Sequence, residues 1–311
     1  MTLRRVAPAF ALALTLLGLG GCVTYPDITQ SRSPCRMEPG GWCSFVRDAA
    51  VESYGYAMLS SNAYRDEDTY VELGPAFELV ERLEISAEDA DKGFDYILYD
   101  QFEVVADEHG QLLRGARQAR VLAFRGTDFD GATDILHGTI KDNQIEIARR
   151  YFAAELARVE GQVPMVVTGH SLGGALATQI SIDNPGVKAW TFNVSPFYRG
   201  DSTVNDQDRT AINERGEFLR TFRKYRSPPA ADLFEINCAP EAGSGEKHSI
   251  RRLGDCLTWI AAYDSHAALA LLGPNTVTKP PVECGEVDKV HPGVGGTPGV
   301  PCIHISRPEN D

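Results

Sequence analysis

Pro164-Met-Val-Val-Thr-Gly169-His-Ser171-Leu-Gly173-Gly-Ala-Leu-Ala-Thr-Gln-Ile180 is the segment from which the architecture can be worked outward. A short apolar run of strand character meets Gly-His-Ser-Leu-Gly. An alanine-rich run of helical character follows directly. A strand, a tight turn and a helix in that order push the central serine out of the top of a sheet, where its hydroxyl can meet another molecule. Gly169 and Gly173 leave room for the close crossing of strand and helix. The start of the helix leaves backbone N–H groups without intrahelical partners, Leu172 first among them. Ser171 is thereby a candidate nucleophile. A serine hydroxyl is a weak nucleophile unless a base stands within hydrogen-bond reach.

Outward from this turn, strands and helices alternate. Val46 to about Tyr64 suits a helix. Phe94–Phe102 alternates as a strand does, and Ala119–Phe124 and Pro164–Thr168 are more continuously apolar. Asn143–Glu160 has apolar residues at near-helical spacing and is closed by Gly161, and Leu172–Ile182 is a further helix. Val187–Asn193 and Glu217–Tyr225 are predicted strands, and Cys256–Leu272 is the last helix, broken near Asp264. The alternation predicts an α/β fold, a mostly parallel central sheet with helices on both faces. One domain is expected over residues 46–272, followed by a Gly/Pro-rich, disulfide-pinned extension over 273–311.

Where a serine sits in such a turn, the acid and then the histidine of its relay follow it in the chain. That order sets aside His109 and His137, and His170 lies inside the turn itself. Of those that follow, His266 in Tyr263-Asp-Ser-His-Ala-Ala-Leu269 stands where a loop enters the last helix and is the leading base. His248, in a polar Gly-rich stretch, is the alternative. The acid should follow a late strand. Asp232 comes after the predicted strand Glu217–Tyr225, and Asp201 after Val187–Asn193 competes with it. An oxyanion formed at the reacting carbonyl needs fixed donors. Thr127, at the end of Ala119–Phe124, and the backbone N–H of Leu172 are placed to supply them.

Phe124-Arg-Gly-Thr127 and, about 40 residues on, Gly169-His-Ser-Leu-Gly-Gly-Ala175 together resemble the class 3 lipase family. Asp134-Ile-Leu136 and Phe192-Asn-Val-Ser-Pro196 match further stretches of that family, the latter where a Phe-Gly-x-Pro strand end is usual. The resemblance implies an α/β-hydrolase fold, a Ser-Asp-His triad (Ser171, Asp232, His266), an oxyanion hole at Thr127 and Leu172, and acyl-glycerol or phospholipid esters as substrates. The chain departs from the family in two places. Arg226-Ser-Pro-Pro229 stands where the acid usually follows its strand, and Asp128-Phe-Asp-Gly-Ala132 is too short and polar for an apolar lid helix. The expected activity is carboxylic-ester hydrolysis of lipase or esterase type. An envelope phospholipase or acyltransferase, and a catalytically dead hydrolase fold serving as a binding module, are the alternatives.

The N-terminal segment lies outside this domain. Arg4 and Arg5 precede an apolar run from Ala7 to Leu19, too short to span a bilayer as a stable helix. It ends in Leu19-Gly-Gly-Cys22, which resembles the lipobox of bacterial lipoproteins. The expectation is a signal peptide over 1–21, a lipidated Cys22, a Pro/Gly/Ser-rich tether over 22–45, and an exported protein held on the cell envelope, at the outer membrane, through that lipid. Six cysteines remain, an even number that predicts disulfides in an oxidising compartment, with sequence neighbours paired as Cys35–Cys43, Cys238–Cys256 and Cys284–Cys302. No CxxC pair or HExxH motif is present, so neither a metal nor any other cofactor is expected. The formal net charge of −13 argues against nucleic acid as a partner, because an acidic chain gains nothing from displacing phosphate counterions.

Overall fold

The computed structural model describes Cys35 and residues 38–64, 71–126, 138–224 and 226–282. The chain runs α1 (Ser44–Asn62), β1 (Phe77–Val80), α2 (Ala87–Asp91), β2 (Tyr96–Ala106), β3 (Leu112–Phe124), α3 (Gly138–Val159), β4 (Met165–His170) and α4 (Leu172–Asp183). It continues through β5 (Lys188–Phe192), β6 (Arg209–Glu214), α5 (Arg220–Arg223), β7 (Asp232–Ile236), α6 (Ile250–Ala261) and α7 (His266–Leu271). The strands lie side by side in sequence order. The first three pair antiparallel and β3 to β7 pair parallel.

Successive right-handed crossovers in one direction put their helices on one face of a sheet. Here α3 and α4 cover that face, packing on Leu122 and Val167, while α1 and α6 cover the other, over Val121 and Val166. Adjacent residues of one strand thus feed opposite cores, which is why all six residues of β4 are buried and its first three, Met165, Val166 and Val167, are all apolar. Full burial of each such aliphatic side chain contributes about 1.5–3 kcal/mol. This is the α/β arrangement expected from the sequence.

Two expectations need correction. The predicted strand Glu217–Tyr225 is absent over Glu217–Lys224: Glu217 follows a turn and the short α5 begins at Arg220, while Tyr225 lies outside the described residues. The strand it stood for is β6, which ends before Glu217. A further strand, β7, begins at Asp232 itself, so that residue lies within the sheet and not in a loop beyond it. The reason is chemical. Arg209 opens β6 with 1 % exposure, and its guanidinium donates to the carbonyls of Pro229, Val204, Asn205 and Ser202. Glu214 closes the strand, buried, accepting from the N–H groups of Cys238 and Ala239. A central strand with buried charged ends has no apolar signature. The last helix is divided as expected, into α6 and α7, although α6 starts at Ile250.

Disulfides Cys35–Cys43 and Cys238–Cys256 are formed. Cys22, Thr127, Asp134, His137, Cys284, His291, Cys302 and His304 lie outside the described residues.

Candidate active site

Ser171 is the single residue between β4 and α4, with φ 55° and ψ −122°. A non-glycine residue holds that conformation only when its surroundings impose it. Here the crossing imposes it. A Cβ on Gly169 would sit 2.4 Å from the backbone of Gly173, and one on Gly173 would sit 2.3 Å from the carbonyl oxygen of Phe124. Ser171 N–H extends the β4–β5 ladder by donating to Phe192 O at 3.1 Å, and Ser171 O accepts from Ser195 N–H at 3.0 Å. Its Oγ is buried and has no hydrogen-bond partner among the described residues. Leu172 N–H leads α4 beside it, at the positive end of the helix. Thr127, the other expected oxyanion donor, is outside the described residues.

The histidine brought to this end of the sheet is His248, not His266. His248 ends a single 3-10 turn, Glu246–His248, after β7. Its ring lies 4.6 Å from that of His170, the neighbour of Ser171, and 4.5 Å from that of Phe218. Two side chains hold its backbone. His170 Nε2–H donates to His248 O at 2.7 Å, and Asn193 Nδ2–H donates to the same oxygen at 3.2 Å. A carbonyl can only accept, so Nε2 of His170 carries the proton and Nδ1 accepts from the Tyr64 hydroxyl at 3.0 Å. Asn193 has φ 43°, in the left-handed region that favours glycine. It stands at the glycine position of the Phe-Gly-x-Pro pattern and uses its amide where glycine has none.

His248 Nδ1 is 2.7 Å from Glu217 Oε2, and both side chains are fully buried. Glu217 also pairs with Arg223 at 2.6 Å and accepts from Leu219 N–H at 2.9 Å. Burial is the largest influence on its carboxyl and pushes the pKa up. The His248 hydrogen bond, the charges of Arg223 and His248, and Leu219 N–H together overcome it and hold the group below the ordinary carboxylate value. On His248 burial is again largest and lowers the pKa. Glu217 raises it, Arg223 lowers it, and the net position is below that of an ordinary histidine. Burial, with the charge of His248 adding to it, holds His170 well below the ordinary value. A neutral His248 whose Nδ1–H donates to an ionised Glu217 offers Nε2 as a base.

Asp232 and His266 stand at the opposite end of the sheet. Asp232 pairs with Thr210 at the start of β7, and the register His170–Phe192–Ile212–Phe234 puts it three strands over and below the level of Ser171. At ordinary strand spacings that is roughly 15 Å or more. His266 is exposed at the start of α7 and lines a groove with Tyr54, Phe77 and Gln101. Gln101 pairs with Ala119 on β3, one residue before the β3–β4 pairing opens at Arg120 and Met165, whereas Phe124 and Gly169 close it. Asp201 is exposed in a turn, where its carboxylate accepts from Thr203 N–H and Oγ–H; the backbone bond leads in holding its pKa low. Glu217 escapes a reading of the sequence because the strand before it is misplaced there, although its position follows the same chain-order rule once β6 is known.

Among solved structures, the chain is similar to the lipase from Rhizopus microsporus var. chinensis at 17 % identity, with a TM-score of 0.37, covering 55 % of this chain and 68 % of that one. The Lip2 lipase of Yarrowia lipolytica is 18 % identical, with a TM-score of 0.36 and coverage of 55 % and 74 %. A triacylglycerol lipase from Penicillium expansum is 15 % identical, with a TM-score of 0.39 and coverage of 65 % and 82 %. No curated protein sequence matches. A family model, the Tle-like phospholipase domain, matches residues 55–226, more than half of the chain. The matched segment contains Ser171 and Glu217 and stops short of His248, and by this match the chain belongs to the Tle-like phospholipase domain family.

Proposed function

We propose that the protein is a serine hydrolase of lipid carboxylic esters, with Ser171 as nucleophile, His248 as base and Glu217 as the acid that orients it. The observation that carries this reading is the buried 2.7 Å contact between Glu217 and His248 Nδ1, beside the strained turn that presents Ser171. In the reaction, His248 Nε2 takes the Ser171 proton as Oγ attacks the ester carbonyl. The oxyanion is met by Leu172 N–H and by Thr127. His248 then returns the proton to the leaving alkoxide, and water clears the acyl-enzyme by the same relay. Glu217 stays ionised throughout and stabilises the imidazolium. Membership of a phospholipase domain family favours glycerophospholipids among the possible esters. An anchor on Cys22 would hold the enzyme at the envelope, against such a substrate.

The test has two parts. A fluorophosphonate probe should label the wild type stoichiometrically and leave Ser171→Ala unlabelled, since only an activated serine reacts. Purified wild type should hydrolyse short p-nitrophenyl esters and a phospholipid, with Ser171→Ala down by a factor on the order of 10⁴ to 10⁶. An unlabelled wild type, inert on every ester, would mean a binding module instead.

A further inference from the structure

Arg226-Ser-Pro-Pro229 displaces the usual acid from its position, and the segment leading to it is unusual for this chain. Between Arg215 and Arg226 lie Arg215, Arg220, Arg223, Lys224 and Arg226 against one acidic residue, Glu217, in a protein of net charge −13. Four of these cations line one cavity of about 270 Å³, with Tyr198 in its wall and Glu235 as its one carboxylate. Arg223 is committed, through its pair with Glu217 and its bond to Val194 O. Arg220 reaches Glu235 only at 3.8 Å. Arg226 donates to Tyr198 O and lies over that ring at 5.9 Å. Gathering like charges around a concave space costs self-repulsion, which a bound anion relieves, and a walled cleft focuses the field on whatever enters it. The guanidinium fork and the ammonium suit phosphate oxygens in particular.

The cavity reaches the backbone that packs against the Ser171 turn. Val194 and Pro196 line it and flank Ser195, whose N–H donates to Ser171 O. Tyr198 packs on Leu172 and Ala175 at the start of α4. We infer that this cavity binds a phosphate group next to the reaction centre, so that lipids carrying a phosphate headgroup are preferred over neutral esters. The inference rests on ester hydrolysis at Ser171 for the lipid arm of its test and on nothing catalytic for the other arm.

The test uses the full chain and the double variant Arg220→Gln, Lys224→Gln, at exposed positions outside the triad. With dihexanoylphosphatidylglycerol below its micellar concentration, kcat/KM should fall roughly tenfold or more, while p-nitrophenyl butyrate hydrolysis stays within about twofold. Arg220→Lys, Lys224→Arg should keep most of the lipid activity. Calorimetric titration with inorganic phosphate should show binding to the wild type that weakens with added salt and is lost in the Gln variant. If phosphate binding is lost but lipid kinetics do not change, the phosphate chemistry stands and its source is a free anion. The inference is overturned if phosphate does not bind the wild type and lipid kinetics are unmoved. It is equally overturned if both substrates fall together, which would mean the cations act through the triad or the fold. A wild type that binds phosphate and hydrolyses no ester would sink the catalytic reading and leave the cavity standing.

Discussion

At the scale of single residues, the proposed relay rests on contacts whose removal has separable consequences. Replacing Glu217 by Gln keeps the shape but takes away the acceptor that keeps the proton on His248 Nδ1, so kcat should drop by a factor on the order of 10⁴. It should also move the acid limb of the pH profile. His248 must be neutral to act, and its pKa already lies below 6.5. Glu217 is the influence that raises it. Without Glu217, burial and Arg223 remain and the residual activity should persist to lower pH. A limb that moves upward, or stays put while kcat falls, would argue against the pairing. Asp232→Asn and His266→Ala, at the far end of the sheet, should retain activity within a few-fold of wild type when the same soluble ester is used. Loss of activity in either would restore that residue to the relay.

At the scale of elements, the question is what holds the loop that carries the proposed base. His248 lies between Cys238, just after β7, and Cys256 in α6, and these two cysteines are joined across 18 residues of sequence. The crosslink closes around the segment that carries His248, while His170 and Asn193 hold its carbonyl from the side of β4 and β5. Crosslinking a loop of this length contributes about 3 kcal/mol, largely by restricting the unfolded chain. The double variant Cys238→Ser, Cys256→Ser should therefore melt several degrees lower. At temperatures where it is still folded, it should show a lower kcat with little change in KM, because the loop is less firmly placed. Unchanged kcat in the folded variant would reduce the crosslink to a purely stabilising role. Asn193→Gly keeps the left-handed backbone and removes the amide, so it separates the clamp from the turn geometry.

Across the whole molecule, buried histidines make stability sensitive to mild acid. His170 and His248 both have folded-state pKa values below 6.5. The unfolded chain therefore binds protons that the native state excludes. The stability they contribute is full above about pH 6.5 and is lost as pH falls below it. Glu217, also depressed, adds a loss at the lower pH of carboxylate titration. Thermal melts should decline from pH 7 to 5, before carboxylates titrate in bulk. His170→Gln, which can still donate to His248 O and accept from Tyr64, should flatten that decline; an equally steep slope would put its cause elsewhere. The proposed attachment through Cys22 concerns the whole chain too. Cys22→Ser should release the protein from the membrane fraction, and a mature N-terminus other than a lipidated Cys22 in mass spectrometry would end the lipobox reading.

The turn at Ser171 is legible in the sequence because its parts are consecutive. An apolar strand, two glycines needed for a close crossing, and a helix whose first N–H is Leu172 lie within one short run, and local sterics join them in only one way. The alternation of strands and helices, and hence the α/β class, is legible for a similar reason, since periodicity is a local signal. Glu217 and His248 are not. They are 31 residues apart, and they meet because β6 and β7 pair in a register that sets Glu214 beside Ile236, with the Cys238–Cys256 crosslink beyond. That pairing is hidden because Arg209 and Glu214 bury their charges against backbone groups of the preceding loop, of Pro229 and of Cys238 and Ala239, so β6 looks polar in sequence and is satisfied only in three dimensions. Asp232 and His266 have the right chemistry and the right order along the chain. Which end of the sheet each residue occupies is decided by strand register, and register is a property of the assembled sheet that no single strand carries.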